Sequence, residues 1–164
     1  PCMVTVGDTA PSFELPGTGD AGEGVPTYRL DDALGEGPVV LAFYAFDFHP
    51  GCTEQLCSIR DLSWFDIDPD VSVFGISTDR VFSHRAFAEQ HDIEFPLLSD
   101  SDGRVAEAYG VLRSELLGHR RVSKRALFLL DTDGTVQYRW VGDDPEAVPS
   151  LTPLYEALED RSEQ

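Results

Sequence analysis

Two kinds of pattern alternate along the chain. "PVVLAFYAF" (Pro38 to Phe46) and "VSVFGIST" (Val71 to Thr78) are nearly unbroken apolar runs, rich in β-branched and aromatic residues. Such runs mark strands covered on both faces. "RALFLLD" and "VQYRWVG" read as two further strands joined through "TDG" as a hairpin. Helical stretches lie between them. "GCTEQLCSIRDLSWF" (Gly51 to Phe65) follows Pro50, a residue suited to the first turn of a helix. "VFSHRAFAEQHD" (Val81 to Asp92) is amphipathic, and His84 and His91, seven apart, fall on a face expected to be solvated. "GRVAEAYG" ends on Gly110, a good helix stop, and "SLTPLYEALED" reads as a closing helix. "TYRLDDAL" is a short strand or turn, "FPLLSD" a short strand, and the glycine-rich Pro16 to Pro26 a loop. Strands alternating with helices, then a hairpin and a last helix, predict an α/β fold with a mixed central sheet flanked by helices. No repeat or linker divides the sequence, so residues 1–164 are expected to form one domain.

Chemistry concentrates where the first apolar strand gives way to its helix. In α/β sheets, sites form at the C-terminal ends of central strands, and Cys52 falls at such a point. "HPGCTEQLC" (His49 to Cys57) holds two of the three cysteines. An ordinary thiol titrates near ~8.5, so little of it is thiolate at neutral pH. Lowering that value to about 6 takes about 3.4 kcal/mol. A helix N-terminus supplies about 0.3–1 kcal/mol, and ~2 in the best partly buried cases. Burial acts the other way: Cys52, Leu56 and Ile59 share one helical face, and apolar surroundings raise a thiol pKa. A cation from elsewhere in the chain is therefore required. Arg125 is the best candidate because it opens the strand "RALFLLD", although the pattern alone fits a surface arginine equally well.

Cys57 is five residues further on. On a helix that is about 7.5 Å of rise and about 140° of rotation. A disulfide needs Cα atoms within about 7 Å and side chains that face each other. The two sulfurs can bond only if the first helical turns unwind. Oxidation of Cys52 to a sulfenic acid, followed by condensation with Cys57, would cycle the segment between helical dithiol and unwound disulfide.

Charge and composition narrow the classes further. Twelve basic against thirty acidic residues give a net charge of −18, and Lys124 is the only lysine. Such a surface repels nucleic acid and anionic membranes. It resembles that of proteins from salt-loving organisms, where a Debye length of about 3 Å erases long-range steering. No apolar run reaches the ~18 residues of a membrane span. An odd number of cysteines argues against a secreted disulfide framework and for reduced thiols in the cytoplasm. His49, Cys52 and Cys57 lack a second pair of ligands, so no zinc site is expected. "DSDG" and "DTDG" lack the rest of a calcium loop and read as a helix start and a hairpin turn. Trp64 and Trp140 are core candidates, and Cys2 lies by the terminus.

"FYAFDFHPGCTEQLCSIRD" resembles the active-site segment of peroxiredoxins, most closely the bacterioferritin-comigratory or PrxQ-like branch, typically written FYPKDFTPGCTTEACxFRD. "VFGISTD", "SHRAFAEQHDIEFPLLSDSDGRVAEAYGV" and "RALFLLDTDGTVQYRWVG" are similar to later blocks of that family. The resemblance implies a thioredoxin-like fold and thiol-dependent reduction of hydrogen peroxide and organic hydroperoxides, with no metal or organic cofactor. It implies Cys52 as the peroxide-attacking cysteine and Cys57 as the resolving one. It implies Arg125 as the arginine that holds thiolate and peroxide, a thioredoxin-like dithiol as reductant, and a monomer or homodimer. Ala45 stands where the family has a proline that shields the thiolate, which leaves the tightness of the pocket open. His49 stands in place of a threonine or serine whose hydroxyl binds the peroxide. A ring nitrogen of His49 can donate instead, and a protonated ring would help to lower the Cys52 pKa. Gln55 replaces the branch's usual glutamate. The alternative function for the same fold is a non-catalytic thiol sensor or interaction module.

Overall fold

The computed structural model describes residues 3–19, 24–62, 68–144 and 149–162. Its elements in chain order begin with β1 (Glu14–Pro16), β2 (Thr27–Arg29), α1 (Leu30–Leu34), β3 (Val39–Phe43) and α2 (Pro50–Arg60). They continue with β4 (Ser72–Ser77), α3 (Val81–His91), β5 (Leu97–Ser99), α4 (Arg104–Ala108), β6 (Leu112–Leu116) and β7 (His119–Ser123). The last are β8 (Arg125–Leu130), β9 (Val136–Gly142) and α5 (Thr152–Ser162).

The continuous apolar runs are explained by two cores, one on each face of a five-stranded sheet ordered β5-β4-β3-β8-β9. Along β3, Val39, Leu41 and Phe43 enter one core, while Val40 and Ala42 enter the other. β8 divides the same way: Ala126, Phe128 and Leu130 against Leu127 and Leu129. All five residues of β3 are fully buried. Each large apolar side chain removed from water is worth about 1.5–3 kcal/mol, which makes these two strands the anchor of the fold.

The sheet is mixed, as expected. β3 runs parallel to β4, and β4 to β5, whereas β8 is antiparallel to both β3 and β9. The register decides where chemistry can occur. Phe43 pairs with Ala126. The residue before Ala126 therefore sits just past the C-terminal end of β3, where the chain turns into α2. That residue is Arg125.

Several local expectations meet their structure, with differences at the edges. "TYRLDDAL" divides into β2 and α1. α2 closes at Arg60 with Asp61 as its C-cap, and Ser63 to Phe65, expected in the same helix, lie outside the described residues, as does Trp64. The Asp100 carboxylate of "DSDG" accepts from the amides of Val105 and Ala106 at the start of α4. The Asp131 carboxylate of "DTDG" accepts from the amides of Asp133 and Thr135 in the β8–β9 turn, where Gly134 takes φ +81°. The hairpin β6–β7 has no clear signal in the sequence. Its strands are mostly exposed or half-buried and lack a clean apolar–polar alternation. Its turn takes positive φ at Leu117 and Gly118. Trp140 is half-buried against the second core.

Candidate active site

α2 starts at Pro50, and His49 occupies the N-cap with extended backbone and no side-chain capping bond. The main-chain carbonyl of His49 accepts from the Thr53 amide at 2.8 Å and closes the first turn. Two residues into the helix, Cys52 is fully buried. Cys57 is half-buried on the same helix, and both are free thiols. The structure therefore holds the helical dithiol, and Cys2 lies outside the described residues.

Arg125 reaches this turn from β8. The residue is only 3% exposed. A Cβ placed on Gly51 would lie 2.8 Å from Nη1 and 3.2 Å from the guanidinium carbon, so only glycine allows this approach without a shift. The cation that physical reasoning demanded next to Cys52 is present, brought by the β3–β8 register. Among the described residues, neither Nη1 nor Nη2 has a hydrogen-bond partner, and the same holds for His49 Nδ1 and Gln55 Oε1. Buried guanidinium nitrogens normally find acceptors, because leaving a charged donor unpaired is costly. The other end of Gln55 is tied down, with its amide nitrogen donating to the Phe43 carbonyl at 3.4 Å.

The thiol itself is pulled in two directions. Burial pushes the Cys52 pKa up. The backbone amides of Phe46 and Ala45, which face the sulfur, and the charge of Arg125 draw it down, while Asp47 adds to the upward push. Burial prevails, so the thiol in this closed conformation lies above its ordinary range rather than near neutrality. With alanine at position 45 the thiol is still shielded: Ala45 is 5% exposed and Cys52 has no exposure at all. Ala45 also keeps an N–H that a proline would lack.

One sequence expectation is corrected here. His84 does not lie on a solvated face of α3. It is fully buried, and its Nδ1 lies 2.8 Å from Asp47 Oδ2. Val81, His84 and Phe87 recur every three residues and share the inward face, which is the signal that identifies His84 as interior. His91 stays half-buried, its ring against Phe87. The loop ahead of Cys52 also carries rings: Phe46 meets the His119 ring edge-on at 5.0 Å, and Phe48 is exposed with φ +67°. An open cleft of about 1010 Å³ includes Arg60, at the far end of α2, and Phe95 in its lining but none of His49, Cys52 or Arg125.

A mixed five-stranded sheet, a free thiol in the first turn of the helix after its central strand and a buried arginine against that turn define a thiol-redox protein of thioredoxin-like fold. The sequence profile of the AhpC/TSA family matches residues 6–139, and the chain belongs to that family. A Mycobacterium tuberculosis protein carrying a peroxiredoxin name is 45% identical over 133 residues, 81% of this chain and 82% of the relative. Peroxiredoxin Bcp of Bacillus subtilis is 34% identical over 139 residues, 84% of this chain and 85% of the relative. Among solved structures, peroxidoxin BcpB from Mycobacterium tuberculosis superposes with a TM-score of 0.74 at 38% identity, covering 97% of this chain and 94% of the other. A reduced 2-Cys peroxiredoxin from Plasmodium vivax, at 24% identity and a TM-score of 0.83, shows the fold alone.

Proposed function

We propose that the chain is a thiol peroxidase that reduces hydrogen peroxide or organic hydroperoxides and is regenerated by a thioredoxin-like dithiol. The observation that carries this reading is the set of buried, unpartnered donors on Arg125 at the helical turn bearing Cys52. A peroxide offers two acceptor oxygens and, as its O–O bond breaks, a developing negative charge. Donors already in place for that charge cost no reorganisation at the moment of reaction.

In the first step the Cys52 thiolate attacks one peroxide oxygen. An S–O bond forms, the O–O bond breaks, and water or an alcohol leaves after taking up a proton. Cys52 is then a sulfenic acid, oxidised by two electrons. His49, whose Nδ1 is unpartnered at the N-cap, orients the peroxide. In the second step Cys57 attacks the Cys52 sulfur, the S–O bond breaks, water leaves and a disulfide forms. That step needs the first turns of α2 to unwind. The dithiol reductant then supplies two electrons and two protons. No helix of the described residues is long and apolar enough to cross a membrane. The acidic exterior fits work in a salt-rich cytoplasm.

The test is peroxide consumption with a thioredoxin system for the parent protein, Cys52→Ser and His49→Thr. The parent consumes many equivalents, whereas a sensor would stop after one. Full turnover by Cys52→Ser would overturn the assignment of the nucleophile. A strong rate increase in His49→Thr would show that the histidine hinders the peroxide instead of orienting it.

A further inference from the structure

Five residues before Cys52, the turn from β3 into α2 is tied to the protein body by a buried carboxylate. Asp47 Oδ1 accepts from the Tyr44 hydroxyl at 2.7 Å, and Oδ2 accepts from the Ser83 hydroxyl at 2.7 Å. Both oxygens lie within 2.9 Å of His84 Nδ1. On the other side of the ring, Nε2 is 3.1 Å from the Leu98 carbonyl. A carbonyl oxygen only accepts, so Nε2 carries a proton; Nδ1 faces both carboxylate oxygens and lies 3.1 Å from the Tyr44 hydroxyl, an arrangement that suits a protonated ring against a carboxylate. The main chain is fixed as well, since the Asp47 amide donates to Asp79 Oδ2 at 2.7 Å. The side chains of His84 and Asp47 are 0% and 1% exposed, where neither charge is tolerated without the other.

We infer that Asp47 and His84 are positioning residues for Cys52: the pair fixes the turn whose Ala45 and Phe46 amides face the sulfur, and the imidazolium cancels a carboxylate charge that would oppose the thiolate. Nothing in the peroxide-attacking set supplies this neutralisation. Arg125 acts on the sulfur from β8, on the opposite strand from the turn. The groups around the pair come from every adjoining element. Tyr44 at the end of β3 is pushed well above the ordinary phenol range by burial, so it stays a donor. Asp79 follows β4, Ser83 shares α3 with His84, Leu98 belongs to β5, and His119 on β7 acts on Asp79.

The inference rests on Cys52 as the nucleophile, and its test reads the thiol without peroxide. The Cβ chemical shift of Cys52 is followed by NMR against pH in a Cys2→Ser/Cys57→Ser background. His84→Asn keeps a donor toward Asp47 and removes the cation, so the Cys52 midpoint should move up by about one pH unit. Asp47→Asn/His84→Asn pairs two neutral amides and should reverse most of that shift. An unchanged midpoint in folded His84→Asn, or a double variant shifted as far as the single one, overturns the inference. Should His84→Asn fail to fold, the ring nitrogen shifts of His84 in the unaltered protein decide: both nitrogens should be protonated at neutral pH, and a bare Nδ1 overturns it. If Cys52 titrates as described while no peroxide is consumed, the peroxidase reading alone has failed.

Discussion

Two buried polar clusters lie at the same end of the sheet and are built on opposite plans. Around Asp47, the carboxylate oxygens meet Tyr44, Ser83 and His84, both ring nitrogens of His84 have hydrogen-bond partners, and even the main-chain amide is paired. Around Cys52, Arg125 Nη1 and Nη2 and His49 Nδ1 have no partner among the described residues. A fully satisfied network rigidifies, whereas buried donors left open carry a standing cost. The protein bears that cost beside the Cys52 thiol. The contrast fits the roles proposed above: the closed cluster holds the turn still, and the open one receives the peroxide oxygens.

The contrast breaks most severely if the sulfur is removed. Cys52→Ser should lose peroxide turnover by at least ~1000-fold, since it removes the proposed nucleophile. Next comes Arg125→Ala, which takes away the open donors and the cation together. A loss of about 100-fold to 1000-fold in the oxidation rate is expected, the range for deleting a donor aimed at developing charge. Gly51→Ala leaves every polar group in place but puts a methyl 2.8 Å from Nη1. It should displace the guanidinium and cost ~10-fold, roughly 1.4 kcal/mol of barrier, and circular dichroism should show the fold intact. Burial raises the Cys52 pKa, so the oxidation rate should climb about tenfold per pH unit from neutrality into the alkaline range, in step with the thiolate fraction. The smallest effect belongs to a satisfied carboxylate remote from the sulfur. Asp100→Ala removes the acceptor for the Val105 and Ala106 amides and should lower stability by about 1–2 kcal/mol in denaturant titration, with the oxidation rate unchanged.

What the sequence made legible follows from how local each signal is. β3 and β8 announce themselves because both faces are covered, so their apolar runs are unbroken. Cys52 at a helix start follows from Pro50 and the strand before it, and the need for a cation follows from thiol energetics. Arg125 is reachable because an antiparallel strand begins where its neighbour ends. The closed cluster is harder to read. Asp47 and His84 are 37 residues apart in sequence, and their contact is made only when α3 packs onto the turn. A histidine among Ser83, Arg85 and Glu89 looks solvated until its spacing with Val81 and Phe87 is counted. The balance that sets the thiol pKa is hidden for a related reason. The pattern shows that Cys52 faces inward, but the completeness of its burial, which outweighs two amides and a guanidinium, emerges only in the folded structure. The hairpin β6–β7 buries too little of its surface to leave a pattern.

The most direct measurement of the account is the second-order rate constant for Cys52 oxidation by hydrogen peroxide, taken by stopped flow at one pH for the parent protein and for Arg125→Met. The methionine fills much of the same space without charge or donors. The account predicts a drop of at least ~100-fold, with the fold retained. A rate within twofold of the parent would mean that the buried guanidinium takes no part in the chemistry, and the open cluster would need another explanation.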